Sequence, residues 1–279
     1  MGIDTFFQDH WVEVSPERHE VYERILGWNR LTEELYQRAE IDEGQVVLDL
    51  GAGPGHVAME MARRVGPAGR VHAVDVNAEF LARTRAKAEA EGMGDRVETH
   101  LVDHHVLPQP DGSVDRVIAK NTLEYVPGLA RTLAECFRVI RPGGRMTATG
   151  PDWEFTVIEP WSWEEQRRFF AAGAHAFAEP HVGRKLLGAM LDAGFVDVEV
   201  SVVARADRTG AFLGVLRNFV GYIAEFDTMP VDEATAMVDR VEAAVETGRY
   251  LIVFPQFSVT GHRSPVTDPR PGSLGRVDP

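Results

Sequence analysis

A chain of 279 residues, 44% hydrophobic and 26% charged, can bury the core of one large domain with appendages and lies far from disordered or fibrous composition. Its net charge of −14 is uneven: four basic against eleven acidic residues over 1–45, thirteen against thirteen over 46–150, and twelve against nineteen over 151–279. That balance argues against nucleic acid or an anionic membrane as partner, since phosphates are held chiefly by Lys and Arg; the acidic flanks keep the chain soluble and also fit a mouth that attracts a cationic substrate. The single Cys136 excludes an internal disulfide and a cysteine metal cluster, and no run approaches the roughly 18 apolar residues of a membrane span. MGIDTFFQDH lacks the regions of a signal peptide, so the expectation is a soluble, cytoplasmic, metal-free protein.

In chain order, Ser15 caps a helix with Pro16 at its first position, and Val21, Ile25, Trp28, Leu31 and Leu35 continue it at helical spacing to about Ala39. Residues 1–44 thus read as a helical arm. QVVLDL (45–50) is a buried strand, a glycine loop follows, and 56–65 is a helix stopped by GPAG. Strands are predicted at 71–76, 97–102 and 114–120, with a helix capped by Asn77 between the first two. A helix over 127–140 precedes RPGG and a fifth strand, RMTATG; Cys136 falls inside that helix as a core residue. Two helical runs, 161–177 and 181–195, lead to a sixth strand at 195–206, and 251–262 reads as the seventh. Between these last two strands, residues 207–249 hold two helical pieces where a hairpin needs two to five residues, so the insertion is a candidate cap. Residues 263–279, rich in Pro and Gly, read as a disordered tail to a domain spanning 45–262. The alternation implies an α/β fold, a doubly wound Rossmann-like parallel sheet.

The loop LDLGAGPGHV places glycines at 51, 53 and 55 but His56 where the dinucleotide fingerprint has its third glycine, so a pyrophosphate is disfavoured. In such a sheet, ligands sit beyond the carboxyl ends of the strands. Asp75 ends the second strand, 20 residues after Gly55, where a carboxylate accepts from both ribose hydroxyls, and Asp103 ends the third, where one accepts from an adenine amino group. The loop suits a compact zwitterion: amides for a carboxylate, acceptors for an ammonium.

DLGAGPG, AVDVN, LVDHHVLPQPDGSVD, NTLEYV and RVIRPGGRM resemble, in order and spacing, the motifs of class I S-adenosylmethionine-dependent methyltransferases, closest to the subgroup of ubiquinone and menaquinone biosynthesis. The resemblance covers residues 45–150 and implies a seven-stranded sheet in the order 3-2-1-4-5-7-6 with strand seven antiparallel. It places Asp49, Gly51, Ala52, Gly53 and Gly55 around the methionine part, Asp75 on the ribose, Val76 against adenine, Asp103 and His104 at the adenine edge, and Lys120 and Asn121 near the methionine ammonium. S-adenosyl-L-methionine is the implied cofactor and S-adenosyl-L-homocysteine its product. The chain departs from the family's pattern at His104, His105 and Glu124, positions that bear on the substrate rather than the cofactor.

Methyl transfer from a sulfonium is an in-line displacement that needs contact and exclusion of water, with a base where the acceptor is a phenol, alcohol or carbon acid. Base candidates are Glu124 and His181, ahead of His104, His105, Asp152, Glu154 and His175. Trp153, Phe155 and Tyr222 are candidate substrate contacts, with Trp161 and Trp163 weighted toward packing; Trp11, Trp28 and Phe219 are further wall candidates. The leading expectation is methyl transfer to an O, N or C nucleophile of a small hydrophobic or aromatic molecule of specialised metabolism. The alternative is a protein of this fold that binds the cofactor but catalyses a cyclisation or decarboxylation. An RNA or protein substrate is disfavoured by the acidic flanks and by NTLEYV after strand four, where amino-methylating nucleic-acid enzymes carry an Asn/Asp-Pro-Pro-Tyr motif.

Overall fold

A computed structural model describes residues 6–12, 14–25, 27–103 and 106–265. His104, His105 and the tail from residue 266 lie outside the described residues. The sheet is built from β1 (Val46–Leu50), β2 (Arg70–Asp75), β3 (Val97–Leu101), β4 (Val114–Lys120), β5 (Ile140–Pro151), β6 (Val157–Glu159), β7 (Val196–Asp207) and β8 (Leu251–His262). Its order is β3-β2-β1-β4-β5-β8, with β7 along the far edge of β8 and the short β6 continuing β5's path along the near edge. β1 to β5 pair in parallel and β8 is antiparallel to its neighbours. This is the expected Rossmann-like order and orientation with one extra short strand, β6, whose three residues carry too little pattern to read.

β1 is buried along nearly its whole length because helices cover both faces of the sheet. Helices α4 (His56–Val65) and α5 (Ala78–Ala90) pack one face with α3 (Arg30–Tyr36), through Val47, Val71, Ala73 and Ile118. Helices α6 (Leu129–Val139) and α8 (Val182–Asp192) pack the other, through Leu48, Val117, Ala119 and the buried Cys136. A third core joins α7 (Trp163–Ala172), α9 (Leu213–Phe226) and α10 (Val231–Glu246) around Trp161, Phe169, Phe219 and Val241. The predicted pair of helices between the last two strands is therefore present as α9 and α10. Trp161 Nε1 donates to Met237 O at 2.9 Å and is core, whereas Trp163 is 63% exposed and lines nothing.

The N-terminal arm departs from the single helix expected over 16–39. It forms α1 (Phe6–Val12), α2 (Pro16–Ile25) and α3, followed by a 3-10 turn over Gln37–Ala39. Asn29 is the reason for the second break: it is extended, with φ −149°, and its Oδ1 accepts from the amides of Leu31 and Thr32, capping a new helix. Trp28, freed from a continuous helix, lies under the Arg64 guanidinium at 5.0 Å and meets the Tyr36 ring at 5.9 Å.

Candidate active site

At the carboxyl end of β1 the chain turns through Gly51, Gly53 and Gly55, all at positive φ, before α4 begins. Gly51 is obligatory on two grounds: its φ is +72°, and a Cβ there would stand 2.3 Å from Thr122 Oγ1, which itself donates to Leu50 O. The amides expected to hold a carboxylate are engaged within the protein. Those of Gly51 and Ala52 donate to Val74 O, that of Gly55 to Ala52 O, and that of Gly53 to Asp75 Oδ2 at 2.7 Å. Asp75 also accepts from the Asn77 amide at 2.8 Å, so its carboxylate joins the two loops. Burial raises its pKa against the pull of those amides.

Asp49 lies one residue before the end of β1, 1% exposed, and neither of its oxygens makes a hydrogen bond. Burial and the neighbouring Asp75 push its pKa up to about 7, against the opposing pull of Lys120 and the nearby Ala58 amide. Lys120, at the end of β4, faces the glycine loop across a cleft of about 30 Å³ shared with His56 and Val57, and desolvation lowers its pKa. Asn121, in the left-handed region at φ 49°, and Tyr36 both contact Thr149; Tyr36 Oη also donates to Ala119 O at 3.0 Å. Val76 is half-buried after β2, and Asp103 is exposed after β3.

Glu124, on the loop after β4, is 2% exposed and its Oε2 has no hydrogen-bond partner. Burial pushes its pKa up to about 8. The adjacent Tyr125 enters an aromatic roof assembled from three distant parts of the chain. Trp11 meets its ring at 4.9 Å and His10 at 5.7 Å from α1, and Phe177 meets it at 5.3 Å; Tyr222 from α9 meets His10 at 5.8 Å. His10 Nε2 and Trp11 Nε1 are buried there without partners, and desolvation lowers the His10 pKa to about 4, so its ring is neutral at neutral pH. Arg18 Nη2 donates to Tyr22 Oη at 2.6 Å beside this roof. Among the substrate contacts expected from sequence, Tyr222 belongs to the roof. Trp153 adjoins it through Phe177 at 5.3 Å with its Nε1 unpartnered.

The remaining sequence candidates are placed elsewhere. Phe155 is 54% exposed at the turn before β6. His181 Nδ1 stands 3.1 Å from Asp152 Oδ1, and Asp152 also accepts from Nε and Nη2 of Arg184, with Glu154 flanking the group. His181, Asp152, Glu154 and Arg184 therefore form a cluster at the start of α8. His175 is exposed against Phe226, and Phe219 is a core residue of the α7–α9–α10 group.

The arm closes the site from above. Asn77 Nδ2 donates to Trp11 O and Val12 O, His56 Nε2 contacts Glu23 O at 2.9 Å, and Lys87 Nζ pairs with Glu23 and donates to Pro54 O. Sequence reasoning missed His10, Tyr125 and Tyr22. Their only signal was aromatic density in the arm and in NTLEYV, which names no partner. A second cleft, of about 370 Å³ between Arg168 and Met229, offers no comparable chemistry: Arg168 is tied to Glu233.

Residues 47–144 match the family model described as a methyltransferase domain. The chain is 38% identical over 146 residues to methyltransferase GfsG of Streptomyces halstedii, covering 52% of this chain and 50% of that protein. It is 35% identical over 119 residues to the ubiquinone/menaquinone biosynthesis C-methyltransferase UbiE of Hahella chejuensis, covering 43% and 47%. The chain thus spans about half the length of the curated relatives it matches. A phosphoethanolamine N-methyltransferase 2 of Haemonchus contortus shares the fold at TM-score 0.63 and 17% identity, over 95% of this chain and 60% of that one. Among the described residues no helix is long and apolar enough to cross a membrane.

Proposed function

We propose that this chain, whose residues 47–144 match a methyltransferase domain, is a class I S-adenosylmethionine-dependent methyltransferase that transfers a methyl group to a small hydrophobic or aromatic acceptor, with Glu124 as general base. The observation that carries the reading is two buried carboxyls that keep unpartnered oxygens: both oxygens of Asp49 near the end of β1, and Oε2 of Glu124 on the loop after β4, next to Tyr125 of the aromatic roof. A buried carboxyl left unpaired costs free energy unless a ligand completes it.

S-adenosylmethionine, when bound, supplies an electrophilic methyl group on a sulfonium. Asp49 would accept from its ammonium, Lys120 would face its carboxylate, Asp75 would take the ribose hydroxyls and Val76 would pack on the adenine. The residues fit this cation: Asp49, Asp75 and Glu124 against one Lys120 leave the site short of positive charge. Lys120 replaces the loop amides in the carboxylate role, because those amides are already engaged.

His10, Trp11, Tyr125 and Tyr222 exclude water and present faces to a planar or apolar acceptor. Burial keeps Glu124 basic enough to take a proton from a phenol, ammonium or activated carbon near neutral pH. His181, held by Asp152, is read as positioning the start of α8.

The test is calorimetric titration with S-adenosylmethionine and S-adenosylhomocysteine, followed by acceptor screening with hydrophobic phenols and amines while S-adenosylhomocysteine release is measured. Micromolar binding of both and release that depends on an acceptor are expected. Absence of binding refutes the assignment, and conversion of an acceptor without S-adenosylhomocysteine release refutes methyl transfer in favour of a cyclase or decarboxylase.

A further inference from the structure

On the sheet face that carries α6 and α8, the region over β2 and β3 has no helix, because the β3–β4 connection among the described residues contains none. Three side chains stand on that bare patch. His72 on β2 is in register with Glu98 on β3, and His100 follows Glu98 by two residues, so strand alternation puts all three on one face. His72 Nδ1 lies 3.0 Å from His100 Nε2 and 3.3 Å from Glu98 Oε2, and His100 Nε2 lies 3.8 Å from the same oxygen.

We propose that His72, Glu98 and His100 form a binding site for one divalent transition-metal ion of the zinc class, with a fourth position open to water. The triangle of donor atoms is the first argument. Tetrahedral zinc with ligands at about 2.0–2.1 Å has ligand–ligand edges of about 3.3 Å, and the observed edges bracket that value. Two imidazoles and a carboxylate are also a donor set that zinc favours over calcium or magnesium. The second argument is the surrounding shell: Arg70 donates to Glu98 Oε1, leaving Oε2 directed at the imidazoles, as an outer partner orients a ligating carboxylate. The metal bridges edge strand β3 to β2, the two strands that lead to Asp103 and Asp75. This site departs from the metal-free expectation of the sequence, since its ligands come from two strands and only the Glu98-x-His100 pair is adjacent in the chain.

The experiment uses the full chain, free of any affinity tag and treated with chelator. Zn²⁺ is titrated in competition with a chromophoric chelator, and Co²⁺ is added separately for its visible spectrum. One equivalent of Zn²⁺ per chain, the intense bands of four-coordinate Co²⁺ and a raised thermal midpoint are expected. His72→Asn and His100→Asn lower Zn²⁺ affinity by roughly 100-fold or more, beyond the loss typical of an outer partner, while His175→Asn leaves it unchanged. Binding of less than one equivalent by the unaltered protein, weak six-coordinate Co²⁺ bands, or equal affinity in the His72 and His100 variants overturns the proposal. Because the Co²⁺ spectrum is read on the unaltered chain, misfolding of a variant cannot decide the outcome.

Discussion

Replacing Asp49 by Asn should make the protein more stable and a worse binder of its cofactor, and the size of the gain follows from the burial of that carboxyl. Its pKa stands at about 7 in the fold against an ordinary 3.8. A pKa raised on folding means that the folded chain holds the proton more tightly. The stability linked to this group is complete below pH 3.8 and is lost as pH rises through 7. At about 1.4 kcal/mol per unit, burying this group, protonated in the fold at pH 5 and ionised at pH 8, costs the free protein about 2 kcal/mol at pH 5 and about 4 kcal/mol at pH 8. Asn keeps the shape and removes the charge, so Asp49→Asn should gain about those amounts in urea unfolding at the two pH values. Glu124 contributes equally to both proteins and cancels. The same substitution removes the anion that meets a cationic ligand, so calorimetry should show S-adenosylmethionine affinity falling by tenfold or more, a loss of at least about 1.4 kcal/mol. In the unaltered protein, affinity should weaken as pH falls below 7, because the proton competes with the ligand. A variant no more stable at pH 8 than at pH 5, or one with unchanged affinity, refutes the role given to Asp49.

Glu124→Gln should lower kcat by 10²- to 10⁴-fold, the usual range for a positioned base, and abolish a rise in rate with pH centred near 8; retention of that rise in initial-rate measurements would assign it to another group. Gly51→Ala forces a Cβ to 2.3 Å from Thr122 at φ +72°, so chemical denaturation should show a loss of at least about 1 kcal/mol and calorimetry a loss of cofactor binding, and normal behaviour in both would mean that the loop differs from the one described. The arm is tied to the glycine loop and α5 through Glu23, which meets His56 and Lys87, so release of that tie is expected to open the way to the cofactor cleft. Glu23→Ala, which cuts the arm's tie to Lys87, should speed cofactor association severalfold in stopped-flow tryptophan fluorescence, and an unchanged rate would place the gate elsewhere.

Local rules made the central sheet readable. The runs at 56–65, 114–120 and 251–262 end where the elements end, and Asn77 caps α5 through the Phe80 amide as its residue type predicts. Gly51, Gly53, Gly55 and Asp75 come together for the same reason: a strand end, a glycine loop and a carboxylate are close in the chain, so their order carries their geometry. The arm misled because Val21 to Leu35 keep a helical period across a break, and the period records which side faces the protein rather than whether the helix is continuous. The acceptor side could not be read from spacing, since His10, Tyr125 and Tyr222 meet only after the sheet, the arm and α9 are assembled.

Residue type alone does not say what a side chain meets. The turn before β6 leaves Phe155 exposed, Trp163, expected to pack, is exposed beside the capping box of Ser162 and Glu165, and His181 meets Asp152. Asp152 is itself 1% exposed, and a carboxylate so buried requires partners, which Arg184 and His181 supply. Asp49 and Glu124 are about as buried, yet both oxygens of Asp49 and Oε2 of Glu124 lack such partners. The buried carboxyls separate by that difference: Asp152 is satisfied within the protein, and the unpartnered oxygens of Asp49 and Glu124 are the reason these two carry the proposed roles.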